Sequence, residues 1–377
     1  MSQKVTSLPE HFARVADPRV DRTKRHLLID ILVIAICGVI CGADDWVAVA
    51  AFGRAKQGWF KTFLRLPNGI PSHDTFGRVF ARLDPHPFQQ AFMTWIQAIS
   101  DLTQGQVVAI DGKKLRRSHD QRLGKQAIVM VSAWATANRL VLGQVKTDDK
   151  SNEITAIPEL LRVLALDGCI VTVDALGCQT DIATAIVAQG GDYLLAVKEN
   201  QKLLYQDLRD LFHEAQEAEF RETLFDFARS VSKGHGRLEI RRCWTIADPD
   251  FLDYIRDGRL WPNLRTLVMI ECERRIGRKT SRDTRYFIAS IENDATLALH
   301  AVRGHWGIEN ELHWVLDIAF REDECRVRKD YGPQNFAVVR HIALNLLKQE
   351  TTANLGIKNK RLQAAWDENY LLTLLTQ

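Results

Sequence analysis

The apolar and polar positions along the chain change period several times, and each change marks a stretch. Residues 1–100 carry helical spacing throughout. The run 27–42 is apolar apart from Asp30 and reads as a helix buried on all sides. A second helix carries Trp46, Val49 and Phe52. Pro67-Asn-Gly-Ile-Pro71 is a turn, and Ser72 is placed to cap a helix over 73–83 that turns Phe76, Val79, Phe80 and Leu83 inward. Arg78 and Arg82, four apart, then share its outer face. A helix, a turn and a capped helix ending in arginines fit either a helix-turn-helix or an amphipathic helix with a solvated basic face.

From residue 106 the period shortens. Val107-Val-Ala-Ile110 is a short continuous apolar run ending on Asp111-Gly112, the pattern of a fully buried strand. Strands over 127–135 and 140–145 follow, with a hairpin-like turn at Ala137-Asn138-Arg139. Cys169-Ile-Val-Thr-Val173 repeats the first pattern and ends on Asp174; Tyr193 to Val197 is a further strand. Helical stretches over 153–166, 180–189 and 201–212 alternate with these strands, which predicts a mixed α/β layer fold. Residues 213–300 read as β-rich: one strand over 228–246 bent at Gly234-His235-Gly236, then strands over 264–272 and 286–291 around a turn with six basic residues over 273–285. Four regions result: a helical N-terminal domain over 1–100, the first part of a core over 101–212, a β-rich insertion over 213–300, and the rest of the core with C-terminal helices over 301–377.

Residues 303–317 form a helix with an unusual stripe. Trp306, Ile308, Leu312, Val315, Leu316 and Ile318 supply its apolar face, and His305, Glu309 and His313 fall at i, i+4 and i+8 beside it. A carboxylate so placed must be hydrated, paired or bound to a metal. Asp111 and Asp174, each ending a buried strand, are expected on one rim of the sheet, where ligands of such sheets gather. With Glu309 they would make three hard oxygen ligands, a set suited to Mg²⁺ or Mn²⁺. The alternative is that strand-end aspartates only shape turns. Asp317, Asp323 and Glu324 are other choices for the third ligand. The His-Glu-His stripe lacks the His-Glu-x-x-His spacing of zinc peptidases.

Composition narrows this little. At 377 residues and 46% hydrophobic, the chain can fill ordinary cores, and 50 Lys+Arg against 47 Asp+Glu leave a formal charge of +3, so only local clusters argue for nucleic acid. Those clusters are Lys113, Lys114, Arg116 and Arg117 after the first aspartate, the basic turn over 274–285, His235 and Arg237 beside glycines, and Lys198 with Asn200 at a strand end. Each is equally a solvated surface. The 27–42 run falls short of the ~20 residues that span a bilayer, so no membrane partner is expected. The first residues do not read as a leader. Seven cysteines without Cys-x-x-Cys spacing argue against a disulfide framework or zinc knuckle and fit a reducing cytoplasm.

Four motifs occur together: Ala109-Ile-Asp111-Gly-Lys113, Thr172-Val-Asp174-Ala-Leu-Gly177-Cys-Gln179, Leu195-Ala-Val-Lys198-Glu-Asn200-Gln201, and His305-Trp306-Gly-Ile-Glu309-Asn310-Glu-Leu-His313-Trp314. In this order, and with the Asn68 to Thr75 turn before them, the chain resembles the DDE transposases of bacterial insertion sequences, nearest to the H-repeat-associated group. The resemblance implies an RNase H-like mixed sheet flanked by helices, an N-terminal helical domain that binds DNA, and a β-rich insertion before the last catalytic helix. It implies Asp111, Asp174 and Glu309 as the catalytic, metal-binding triad, two Mg²⁺ ions for which Mn²⁺ substitutes, and strand cleavage and transfer on double-stranded DNA at the element's terminal repeats and target. A homodimer on DNA and a cytoplasmic, nucleoid-associated location in a bacterium are expected with it. A DNA nuclease without strand transfer, or a non-catalytic DNA-binding protein, are the alternatives. The wider family surrounds its Glu with Tyr, Arg and Lys; here Val302, His305 and Leu316 hold those places, and Arg303, His305 and His313 are the substitutes for holding phosphate.

Overall fold

A computed structural model of the chain describes residues 8–99, 105–119, 126–147, 153–234 and 236–376. Among them, nine strands form one sheet: β1 (Val107–Lys114), β2 (Val129–Ala135), β3 (Leu140–Lys146), β4 (Ile170–Val173), β5 (Asp192–Val197), β6 (Phe225–Gly234), β7 (Arg237–Ile246), β8 (Thr266–Ile276) and β9 (Lys279–Ala289). Their order is β3-β2-β1-β4-β5-β9-β8-β7-β6. The first three are antiparallel, while β4 and β5 run parallel to β1. Parallel neighbours need crossovers, and the helices Glu153–Leu161 and Thr180–Val187 supply them.

β1 does not stop at Asp111 as its apolar run suggests. Its pairing with β4 ends at Ile110↔Val173, but β2 stays paired through Asp111↔Ser132, Gly112↔Val131 and Lys114↔Val129. Asp111 therefore lies just past the end of the parallel neighbour, open on that side.

The 213–300 stretch extends the same sheet, because β9 pairs with β5. The strand expected to bend near Gly234 is instead two strands. β6 and β7 pair from Phe225↔Ile246 to Gly234↔Arg237, and His235 lies outside the described residues. The basic run expected as a turn forms the outer arms of β8 and β9, with the tip at Gly277 in the left-handed region (φ +56). Those arms are polar on both faces, so no alternation announces a strand. Their arginines are held to acids across the ladder: Arg282 to Glu273 at 3.0 Å and Arg274 to Glu239 at 3.2 Å.

At the N-terminal end the helix Leu28–Ile40 is buried along nearly its whole length, and Asp30 within it accepts the Leu66 amide at 3.0 Å. Ser72 caps the helix His73–Arg82 as expected, its hydroxyl accepting from the Thr75 amide. The helix Gly332–Gln349 is the strut between this region and the sheet. Asn335 donates to the Phe80 and Leu83 carbonyls at 2.8 and 2.9 Å, and Asn345 exchanges two bonds with Val141 of β3. Among the described residues no helix is long and apolar enough to cross a membrane.

Candidate active site

Asp111 and Asp174 leave adjacent strands at the same level. Asp174 closes β4 and caps the helical turn Ala175–Gly177: its Oδ1 accepts from the Leu176 and Gly177 amides at 3.1 and 3.3 Å, which leaves Oδ2 open. The turn-forming role and a ligand role are thus compatible in one side chain. Asp111 Oδ1 accepts from the Gly112 amide at 2.9 Å, and its Oδ2 lies 3.4 Å from His313 Nδ1. Burial, followed by the negative charge of Asp174 and then of Glu153 and Glu309, pushes the Asp111 carboxyl up to about 7, against the pull of the Gly112 amide.

Glu309 arrives on a helix whose geometry the periodicity does not reveal. The α-helices Ala295–Gly307 and Trp314–Phe320 are joined end to end by a π-helical turn over Ile308–His313. Wider turns of this kind often mark functional positions. The His305 and His313 imidazoles are both turned onto the sheet, while Glu309 is exposed. His305 Nδ1 lies 3.0 Å from Thr172 Oγ1 on β4. Burial lowers its pKa. His313 is pushed down to about 4, by burial first and then by the Lys113 charge, so at neutral pH it is an uncharged imidazole against Asp111.

Around these groups lies a charge network absent from the sequence reading. Lys113, two residues beyond Asp111, bonds Asp317 and, at 2.8 Å, buried Glu322. Burial alone would raise Glu322, but Lys113, Arg340 and His341 together bring it down to about 2. Arg340 Nη1 lies 3.5 Å from its other oxygen. Lys113 is therefore committed inside the protein. Asp317, Asp323 and Glu324, the other choices for a third ligand, are each taken by a cation, namely Lys113, Arg116 and Arg321.

A groove of about 480 Å³ opens from Glu309 between the helix Ala295–Gly307 and the strands β7, β8 and β9. Arg237, Arg241, Arg274, Arg285 and Arg303 line it. Arg237, Arg241 and Arg274 are shared with Glu239, and Arg285 lies over the Trp306 ring at 4.9 Å. Arg303 is exposed with no partner among the described residues. Of the remaining basic candidates, Lys114, Arg116, Arg117 and Lys198 are exposed, and the Arg117 carbonyl accepts from Arg328 at 2.9 Å. Asn200 donates to the Ala175 carbonyl at 2.7 Å and so braces the Asp174 turn. Arg78 and Arg82 stay exposed, Arg78 on the wall of a second cavity of about 550 Å³ that also carries Arg326 and Lys329.

Glu153 has no place in the sequence reading, yet it reaches this site. It opens the helix Glu153–Leu161, and burial together with the Asp174 charge raises its pKa. Acids at the first turn of a helix are ordinary, so the sequence carries no signal for it.

The carboxylates fit a hard divalent cation in chemistry: all are oxygen donors, and burial with the neighbouring negative charges raises the pKa of Asp111 and of Glu153. Among the described residues, no three His, Cys, Asp or Glu side chains converge closely enough to hold an ion by themselves. Any such ion would need water or phosphate oxygens to complete its shell.

Three antiparallel strands followed by two parallel ones, in the order β3-β2-β1-β4-β5, with acids at the β1 and β4 ends, define an RNase H-like core. Residues 102–346 match the transposase DDE domain and residues 9–96 the domain associated with it. The chain belongs to the DDE transposase family. It is 38% identical over 377 residues to the Escherichia coli K12 protein named "H repeat-associated putative transposase YhhI", covering 99% of this chain and 98% of that one. It is also 46% identical over 287 residues to a Xanthobacter autotrophicus protein encoded in the dhlA 3′ region, covering 75% of this chain and 94% of that one. A cryo-EM structure of the piggyBac transposase synaptic complex with hairpin DNA aligns with a TM-score of 0.41 at 12% identity, over 97% of this chain and 76% of that one, too remote to bear on the site.

Proposed function

We propose that this transposase-family chain binds the terminal repeats of its own insertion sequence, cuts a DNA strand there, and transfers the liberated 3′ end to target DNA. The observation that supports this reading is that Asp111 and Asp174 end adjacent strands and an arginine-lined groove opens from Glu309, whose negative charge Asp111 senses. A groove lined by five arginines suits a phosphate backbone, and phosphate contacts fix the register of a strand. The residues divide the work by position. Arg303 and Arg237 neutralise phosphates leading to the reacting one, His313 holds the Asp111 carboxylate from behind, and Asp174 keeps one oxygen on its turn with the other free. Two divalent ions, Mg²⁺ or Mn²⁺, held by Asp111, Asp174 and Glu309, would supply an activated water and neutralise charge on the attacked phosphate. Lys114, Arg116, Arg117 and Lys198, exposed on the surrounding surface, are proposed as further phosphate contacts. The helix His73–Arg82 with Arg78 and Arg82 belongs to the region proposed to read DNA. Because two element ends must be joined in one event, the working form on DNA is a homodimer.

The test is Mg²⁺-dependent nicking and strand transfer on an oligonucleotide bearing the terminal repeat, by wild type and by Glu309→Gln, which keeps shape and removes charge. The expected result is that wild type nicks and joins while the variant binds without cutting. Equal cutting by both removes Glu309 from the reading; nicking without joining reduces the function to a nuclease.

A further inference from the structure

The helix Glu153–Leu161 touches both strand ends that carry the aspartates. A Cβ on Gly112 would fall 2.1 Å from Glu153 Oε1, 2.2 Å from its Cδ and 2.7 Å from its Cγ, so the carboxylate lies directly on the Gly112 backbone. One turn further along, Ile157 Cδ1 stands 3.2 Å from where a Gly177 Cβ would be, in the turn that Asp174 caps. Gly112 thus leaves room for the helix beside Asp111, and any side chain at residue 112 would displace the Glu153 carboxylate.

Glu153 also approaches from the side of the sheet that Glu309 does not use. Side chains alternate along β1, so Val107 and Asp111 share one face and Gly112 has the other. Gly304 of the helix leading to Glu309 lies against Val107, its would-be Cβ 3.3 Å from Val107 Cγ1. Glu309 comes over that face and Glu153 over the opposite one, at the level where pairing between β1 and β4 has ended. The Glu153 carboxylate has no hydrogen bond or ion pair among the described residues. A half-buried carboxylate crowded by other acids and lacking a cation is unfavourable unless one is supplied.

We propose that Glu153 is a fourth carboxylate of the active site, facing the same divalent cation as Asp111 and Asp174 from the opposite side of the sheet to Glu309. The inference rests on the reading of Asp111 and Asp174 as metal-facing carboxylates.

Mn²⁺ binding by electron paramagnetic resonance, with thermal unfolding in the presence and absence of Mn²⁺, tests it on the full chain as wild type, Glu153→Gln, Gly112→Ala and Asp111→Asn. Glu153→Gln is expected to weaken Mn²⁺ binding about tenfold or more and to shrink the Mn²⁺-induced rise in Tm, with a metal-free Tm equal to or above wild type. A side chain with a merely structural role would lower the metal-free Tm and leave the Mn²⁺ increment alone. Gly112→Ala, which keeps every charge but fills the place of the carboxylate, is expected to weaken Mn²⁺ binding as well, and serves if Glu153→Gln does not fold. Mn²⁺ bound as in wild type by both variants, but lost in Asp111→Asn, overturns the role of Glu153 and leaves the metal site standing. If wild type itself binds no Mn²⁺, the metal reading falls and this inference falls with it.

Discussion

His313 Nδ1 lies 3.4 Å from Asp111 Oδ2, which ties the π-turn carrying Glu309 to the strand carrying the first aspartate. The imidazole is uncharged at neutral pH, because burial and then the Lys113 charge push it down to about 4. It therefore orients Asp111 without competing as a cation. His313→Asn is expected to lower nicking by about 10- to 100-fold while leaving affinity for repeat DNA unchanged, since the ring faces the sheet and not the groove. Nicking rates and DNA-binding isotherms on the same preparations check this. A loss of DNA affinity matching the loss of nicking would return His313 to the phosphate contacts.

Asp111 gives the metal-free protein a characteristic pH dependence. Its carboxyl titrates near 3.8 in an ordinary environment and is pushed up to about 7 here, by burial first and then by Asp174. Between those values the folded chain holds a proton that the unfolded chain has released. The stabilising contribution is complete below about pH 4 and is lost as pH rises through 7. Asp111→Asn has no such proton to lose. In chelator at pH 8 it is expected to be more stable than wild type by roughly 2–4 kcal/mol, with the difference vanishing near pH 4. Urea unfolding across that range measures it, and a difference independent of pH would refute the crowding of Asp111 by its neighbours.

What the sequence makes legible follows from the range of each interaction. β1 and β4 announce themselves because strands buried on both faces must be continuously apolar, as Val107 to Ile110 and Ile170 to Val173 are. Asp111 and Asp174 follow at their ends, and Ser72 declares its cap because the bond it accepts is three residues away. The π-turn leaves no trace, since Ile308, Leu312 and Leu316 satisfy an α period equally well. Glu153 reads as an ordinary acid at a helix start, and only the bare backbone of Gly112, brought beside it by the fold, gives it a partner strand. The pairing of Lys113 with Asp317 and Glu322 is hidden because both lie far along the chain. The outer arms of β8 and β9 escape because both their faces are polar.

The pairing of Lys113 has a measurable consequence. Its ammonium bonds a fully buried Glu322, whose carboxyl stays ionised down to about pH 2 because Lys113, Arg340 and His341 outweigh burial. Removing one member of such a pair strands the other charge in the interior. Lys113→Met is expected to destabilise the fold by about 3–5 kcal/mol, and adding Glu322→Gln to it to restore part of that. Denaturant unfolding of the single and double variants checks both. A phosphate-contacting lysine would instead leave stability unchanged and weaken DNA binding.

Arg303 makes the opposite case. It stands exposed on the groove wall with no partner among the described residues, whereas Arg237, lining the same groove, is shared with Glu239 at 3.0 Å. A free guanidinium that neutralises one phosphate releases about one counterion, so its removal flattens the salt dependence of binding. Arg303→Ala is expected to lower the slope of log affinity against log salt by about one without altering Tm. Arg237→Ala is expected to lower it by less, because Glu239 already offsets part of that charge. Fluorescence anisotropy over a salt series, on a repeat duplex and a scrambled one, separates the roles. Equal loss on both duplexes marks a backbone contact, a greater loss on the repeat marks base reading, and an unchanged slope for Arg303→Ala takes the DNA strand out of the groove that leads to Glu309.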